Sequence, residues 1–88
     1  MYTAHARSRL QQRAIPPEAV DVLLAYGECG RDRGADIYYL DRPARLRAAG
    51  ALGKERYRRL SRSLDTYLVV SDDGHLITAA HRRQRLKF

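Results

Sequence analysis

The chain has 88 residues, a net charge of +7 and one cysteine, which excludes an internal disulfide. A chain of this length builds one modest core, so residues 1–88 are predicted to form a single domain. The sequence has no signal-peptide pattern and no apolar run near the roughly 18 residues of a membrane span, so we expect a cytoplasmic protein without a membrane partner.

Two helices are predicted in the first third of the chain. Thr3 can cap a helix that runs to about Arg13, because its side chain can accept from a free N–H of the first turn. The apolar stripe of this helix is Tyr2, Ala6 and Leu10. A second helix is predicted over residues 17–26, where Gly27 is expected to end it in a left-handed conformation.

The middle of the chain predicts one loop, one strand and more helix. Residues 28–35 contain two glycines and alternating charge, which is typical of a solvent-facing loop. Residues 36–41 predict a short strand. Asp41 can then cap a helix to Leu52, which Gly53 separates from a second helical run over residues 54–64.

Residues 66–81 predict a β-hairpin, because two apolar runs flank Asp73 and Gly74, a pair suited to a two-residue turn. This turn would set Val70 opposite Ile77 on the core face. The same register gives two further pairs, Leu68 with Ala79 and Thr66 with His81. The predicted core consists of Leu68, Val70, Ile77, Val20, Leu23, Leu60 and Leu64.

These elements predict an α+β fold of order α-α-β-α-β-β. Two N-terminal helices accompany an antiparallel sheet of three or four strands, with a helical insertion between strands one and two.

The basic residues favour a nucleic-acid partner. Fifteen of the 17 are arginine, whose planar fork binds phosphate bidentately. One basic helix face consists of Arg56, Arg59 and Arg62, which suits either a row of phosphate contacts or a solvated surface. A G+C-rich genome would also explain the abundance of arginine, although not its clustering after residue 40.

The chemistry available is that of histidine and arginine. No Cys, His or carboxylate cluster has metal-ligand spacing, no glycine-rich phosphate loop is present, and no Ser or Cys lies in a nucleophile-elbow context. Metal-free RNA cleavage needs a base, an acid and cations around the phosphate. His5 and His81 can carry protons, while Arg9, Arg13 and Arg82 can hold phosphate. A solvated helix face and a strand-end histidine are the plainer interpretations of the same residues.

Three segments resemble one family. Residues 5–18 carry His5, Arg9 and Arg13 before an Ala-Ile-Pro step, and residues 38–41 and 76–82 continue the pattern as Tyr-Tyr-Leu-Asp and Leu-Ile-Thr-Ala-Ala-His-Arg. This pattern resembles small bacterial domains of unknown function that are distantly similar to the RelE/ParE and BrnT toxins. The resemblance adds Thr78 to the signature residues. Ala14 and Ala80 depart from it, because glycine is expected at both positions.

In that superfamily helices pack on one face of an antiparallel sheet, and ribonucleases occur beside gyrase-directed and inactive members. The resemblance therefore implies a metal-independent ribonuclease of toxin type, with RNA as substrate, an acidic antitoxin as partner and no cofactor. The alternative is a non-catalytic nucleic-acid- or protein-binding module with the same arginine surface.

Site residues follow for both hypotheses. The catalytic candidates are His5, His81, Arg9 and Arg13, which we expect to converge on one concave site. The nucleic-acid-binding candidates are Arg82, Arg83, Arg85, Arg56, Arg59, Arg62 and Thr78. No residue is assigned to a metal, and the oligomeric state stays open.

Overall fold

The computed structural model describes residues 2–81. Its elements, in chain order, are α1 (Ala4–Gln12), α2 (Pro17–Tyr26), β1 (Glu28–Asp32), β2 (Ala35–Tyr39), α3 (Arg42–Leu52), α4 (Lys54–Leu60), β3 (Thr66–Ser71) and β4 (Leu76–His81). The four strands form one antiparallel sheet in the order β1-β2-β3-β4. The α+β prediction is confirmed, although the order is α-α-β-β-α-α-β-β. Within residues 2–81, no helix is both long and apolar enough to cross a bilayer.

A single core lies between one face of the sheet and the four helices. Leu10, Leu23 and Leu60 reach it from three of the helices, and Leu68 and Ala79 from the sheet. Ala44 and Ala48 complete it from α3. Of the predicted core residues, Val20, Leu23, Leu60, Leu64 and Leu68 are buried, while Val70 packs partly exposed against them. All four helices therefore cover the same face, which leaves the opposite face without a described helix.

Side-chain caps explain where α1 and α3 begin. The Thr3 hydroxyl accepts a hydrogen bond from the Ala6 amide at 3.1 Å, and the Asp41 carboxylate accepts one from Ala44 at 2.9 Å. Both caps agree with the sequence prediction. Gly27 differs, because its φ of −72° and ψ of 159° are extended rather than left-handed.

The hairpin is confirmed with a changed turn and a local irregularity. Its loop has three residues, closed by hydrogen bonds from Gly74 N–H to Ser71 C=O and from Ser71 N–H to His75 C=O, both 2.9 Å. Gly74 alone has a positive φ there, at 86°. Such a loop is a type I turn followed by a left-handed glycine, not the predicted two-residue turn.

A β-bulge compensates for the extra loop residue. Val70 pairs with Leu76 instead of Ile77, and the register then returns to the predicted pairs Leu68–Ala79 and Thr66–His81. Leu76 consequently enters the core at 3% exposure, and Ile77 is only half-buried. The prediction of Ile77 as a core residue is therefore wrong.

Residues 28–35 form a second hairpin where a loop was predicted. Arg33 and Gly34 have φ values of 51° and 78°, the signature of a two-residue type I′ turn. β1 is short and largely exposed, and its sequence has no apolar alternation that would predict a strand. Pairing with β2, rather than burial, makes it a strand.

Candidate functional site

α1 and β4 run side by side in the same direction. At their start, the Thr3 amide donates to the Leu76 carbonyl at 3.1 Å. At their end, Arg13 and His81 line one pocket. A Schellman motif closes α1 directly after Arg13 and fixes the backbone there. The Ile15 amide donates to Leu10 at 2.9 Å, and the Ala14 amide donates to Gln11 at 3.2 Å.

We call this hollow the terminal pocket. It has a volume of about 530 Å³ and is lined by Arg13, Ala14, Arg62, Ser63, Asp65 and His81. The residues come from three places: the end of α1, the turn between α4 and β3, and the last residue of β4. Two of the predicted site residues at the ends of the chain, Arg13 and His81, are therefore brought together with Arg62.

Arg62 reaches the pocket because α4 ends at Leu60, four residues earlier than predicted. Arg45 on α3 fastens the turn that follows, since its guanidinium donates to the Leu64 carbonyl at 3.3 Å and forms an ion pair with Asp65. The turn carrying Arg62 and Ser63 is thus tied to a helix rather than left free.

The charge of the terminal pocket is positive. Among the described residues that line the pocket, Asp65 is the one acid, and its carboxylate is already paired with Arg45. Neither Arg13 nor Arg62 forms an ion pair with the described residues. Two guanidinium groups and an imidazole therefore face a volume that can hold an anion.

Two buried polar atoms at this end of the sheet have no hydrogen-bond partner among the described residues, Arg13 Nε and Thr66 Oγ1. Thr66 pairs with His81 in the sheet register and is fully buried. Buried donors without partners are uncommon and need an explanation, such as a bound water or ligand. Arg13 also lines the terminal pocket, although its Nε is itself buried.

The other two catalytic candidates lie elsewhere. His5 is in the first turn of α1, where its Nε2 accepts a hydrogen bond from Arg9 Nε at 3.4 Å. Neither residue lines the terminal pocket. His5 and Arg13 are eight residues apart along the chain, a rise of about 12 Å along a helix, so His5 lies well away from the end of α1 that meets His81. The expected convergence extends to Arg13 and His81, but not to His5 and Arg9.

The arginines predicted as one basic face on the second helical run divide in the structure. Arg56 and Arg59 both pair with Glu18 of α2, at 3.0 and 3.7 Å, and so connect α4 to α2. Arg62 alone remains for the pocket. Thr78 lies on the sheet face away from the core, opposite Val69. The candidates Arg82, Arg83 and Arg85 lie outside the described residues.

A second hollow, of about 590 Å³, lies on the other side of Ala14. Its lining is mostly apolar and comprises Tyr2, Arg7, Leu10, Gln11, Ala14, Ile15, Pro16 and Pro17. Burial, and secondarily the charge of Asp21, raises the pKa of Tyr2 above its ordinary value. The smaller but charged terminal pocket is the better candidate for chemistry.

Residues 2–81 contain no group of three His, Cys, Asp or Glu side chains arranged to hold a metal ion. The chemistry of the pocket itself is one imidazole for proton transfer and two fixed positive charges for an anion. Comparisons of the chain with protein-family models, with curated proteins and with solved structures give no match.

Sequence reasoning did not identify the parts that support the pocket. The Arg45–Asp65 pair joins residues 20 apart, and nothing in the spacing of either residue indicates it. The predicted register places Thr66 opposite His81 on the core-side face of the hairpin, but it does not indicate that the Thr66 hydroxyl is buried without a partner among the described residues. The sequence does contain one indication that α4 ends early, because Ser61 and Ser63 favour turns over helix interiors.

Proposed function

We propose that the chain is a metal-independent ribonuclease of toxin type, acting at the terminal pocket. Arg13 and Arg62 would hold the scissile phosphate, and His81 would carry the proton. The observation that supports this most is charge: two guanidinium groups without ion pairs among the described residues share a pocket with an imidazole, and the pocket's described carboxylate is engaged elsewhere. The choice of RNA rests on the resemblance of the chain's two ends to the RelE/BrnT-like domains.

The reaction fits these groups in a defined way. Neutral His81 takes the proton of a ribose 2′-hydroxyl, and the freed oxygen attacks the adjacent phosphorus. The bond from phosphorus to the 5′-oxygen breaks, and the leaving oxygen takes a proton from water. The products are a cyclic phosphate and a 5′-hydroxyl end. Arg13 and Arg62 stabilise the negative charge that grows on the phosphoryl oxygens.

A comparison of two histidine variants tests the proposal. His81→Ala should lower single-turnover cleavage of a labelled single-stranded RNA by roughly 10² to 10⁴, the usual effect of losing one proton-transfer group. Its affinity for the RNA should change little. His5→Ala is the matched control, because His5 is an exposed histidine outside the pocket, and its cleavage rate should stay near that of the wild type.

Activity should also survive EDTA. Cleavage that stops on chelation and returns with a divalent ion would contradict the proposal, as would equal rates for the wild type and His81→Ala. In a toxin-type protein an acidic antitoxin would be the natural inhibitor, because it would neutralise the same two arginines.

The second candidate is a non-catalytic module that binds nucleic acid or protein through the same arginines. One observation favours it: the described lining of the terminal pocket holds a single imidazole, since His5 lies at the far end of α1. Such a module would bind RNA with the salt dependence of phosphate contacts and would turn over no RNA. Binding that weakens in Arg62→Ala, together with no cleavage by the wild type, would favour this candidate.

A further inference from the structure

The face of the sheet opposite the helices, here called the outer face, is made of partly exposed apolar and hydroxyl side chains. Strand alternation assigns to it Ile37, Tyr39, Tyr67, Val69, Thr78 and Ala80. None of them belongs to the core that the four helices cover. A half-exposed surface of this kind is suited to a ligand that offers flat apolar faces.

Tyr67 connects the outer face to the terminal pocket. Asp65 lines the pocket, and Tyr67 follows it by two residues at the start of β3, a distance of about 7 Å along an extended chain. Tyr67 also pairs with Ala80, the neighbour of His81. A ligand whose phosphate lies in the terminal pocket can therefore cross the end of the sheet and place a neighbouring flat group against the Tyr67 ring.

Charge distinguishes a single-stranded nucleic acid from other occupants. The outer-face residues of β2, β3 and β4 named above are uncharged, whereas the outer-face positions of β1 include Glu28 and Asp32. Phosphates are attracted to Arg13 and Arg62 at the end of β4, whereas the charges of β1 are mixed, because Glu28 pairs with Arg47 and Asp32 lies between Arg31 and Arg33. Bases, in contrast, are neutral and can stack on an aromatic ring regardless of sequence.

We propose that the outer face binds the bases of an unpaired RNA strand whose phosphate occupies the terminal pocket, with Tyr67 as the stacking residue. This inference rests on the proposed function and specifies its substrate class, single-stranded rather than duplex RNA. A duplex keeps its bases stacked inside and offers none to Tyr67.

The test is equilibrium binding, measured by anisotropy, of a fluorescent single-stranded RNA of about 12 nucleotides, within the site sizes of single-strand-binding folds. Its riboses are 2′-O-methylated, so that the proposed reaction cannot cleave it. Tyr67→Leu keeps an apolar side chain and should weaken binding about 5- to 150-fold, the range for losing one base–aromatic stack. Tyr67→Phe keeps the ring and should bind within about twofold of the wild type. Thermal unfolding of both variants verifies that the fold is intact.

A charge-matched probe separates stacking from phosphate binding. An abasic oligomer with the same backbone and length should bind the wild type more weakly than the RNA does. It should bind Tyr67→Leu and the wild type equally, because no base is present to stack. The duplex form of the RNA should likewise show no difference between these two proteins.

The outcomes distinguish the two proposals. If Arg62→Ala weakens RNA binding but Tyr67→Leu does not, the stacking inference is wrong and the pocket stands. If Arg62→Ala and Arg13→Ala leave binding unchanged, the proposed function itself fails. If the wild type dimerises, Tyr67→Leu is monomeric and their RNA affinities are equal, the outer face is an interface between two copies and not an RNA surface.

Discussion

Gly27 is required by close packing and not by backbone conformation. A Cβ atom added at this residue would lie 2.4 Å from the Leu23 carbonyl oxygen and 2.8 Å from that of Tyr39. Both neighbours are backbone atoms of elements that cannot move apart without disturbing the core. Glycine here lets α2 and β2 approach each other closely.

Gly27→Ala should therefore lower the free energy of unfolding by about 1–3 kcal/mol, the usual cost of overpacking. Urea denaturation at neutral pH measures this. Gly50→Ala is the matched control, because Gly50 lies in α3 with open space around it. That substitution should raise the free energy of unfolding by roughly 0.5–1 kcal/mol through helix propensity. Equal effects of the two changes would contradict the packing argument.

The end of α1 carries a strain of a different kind. Ala14 has a φ of 51°, in the left-handed region, at the position of the Schellman motif where glycine is common. An L-residue there costs about 1–2 kcal/mol, and glycine would avoid this cost while losing more chain entropy on folding.

Ala14→Gly should consequently stabilise the protein by about 0.5–1 kcal/mol, seen as a higher thermal midpoint. Ala51→Gly, in the right-handed backbone of α3, should act in the opposite direction. A lower midpoint for Ala14→Gly would mean that its methyl group, which lines both hollows, contributes more by packing than the backbone loses by strain.

At the scale of elements, the sequence correctly predicts the helix ends that depend on nearby residues. The caps at Thr3 and Asp41 and the break at Gly53 are confirmed because each depends on residues within one turn. The strand β1 was missed because only its partner β2 makes it a strand. The predicted pairing of Val70 is wrong. The three-residue loop shifts the pairing by one residue and the bulge shifts it back, and the pattern of apolar residues indicates neither change.

The candidate site divides in the same way. Histidine and arginine at both ends of the chain predicted that Arg13 and His81 would meet, and they do. The position of Arg62 depends on where α4 stops and on a contact from Arg45, both of which are tertiary effects. His5 belongs to the same sequence pattern as Arg13, but the two residues lie at opposite ends of α1.

Over the whole molecule, several arginines are neutralised by acids of other elements, as in Arg47 with Glu28 and Arg31 with Asp36 and Asp72. These pairs are exposed and contribute little stability individually. α1 is different, because neither Arg7 nor Arg9 forms an ion pair with the described residues, and the helix contains no acid of its own. Unpaired positive charge is thus present along the helix that ends at the terminal pocket.

Global stability should depend on pH through Tyr2 and Tyr38. Burial raises the pKa of both phenols, so the folded state favours their neutral forms. The resulting stability is present in full below about pH 10 and is lost as pH rises through the raised values. Denaturant midpoints measured across this range should fall above about pH 10, and less steeply in Tyr2→Phe. A Tyr2→Phe curve parallel to that of the wild type would contradict this.

The two borders of the sheet differ in how they resist aggregation. On β4, Tyr2 forms a parallel bridge to Leu76 and Thr3 bonds to the carbonyls of Leu76 and Ile77, so the chain's own beginning occupies hydrogen-bonding groups that another molecule could otherwise recruit. On β1, the charges of Glu28, Arg31 and Asp32 discourage the addition of a foreign strand. Shortening the chain past Thr3 would therefore remove a helix cap and, at the same time, open one border of the sheet to self-association.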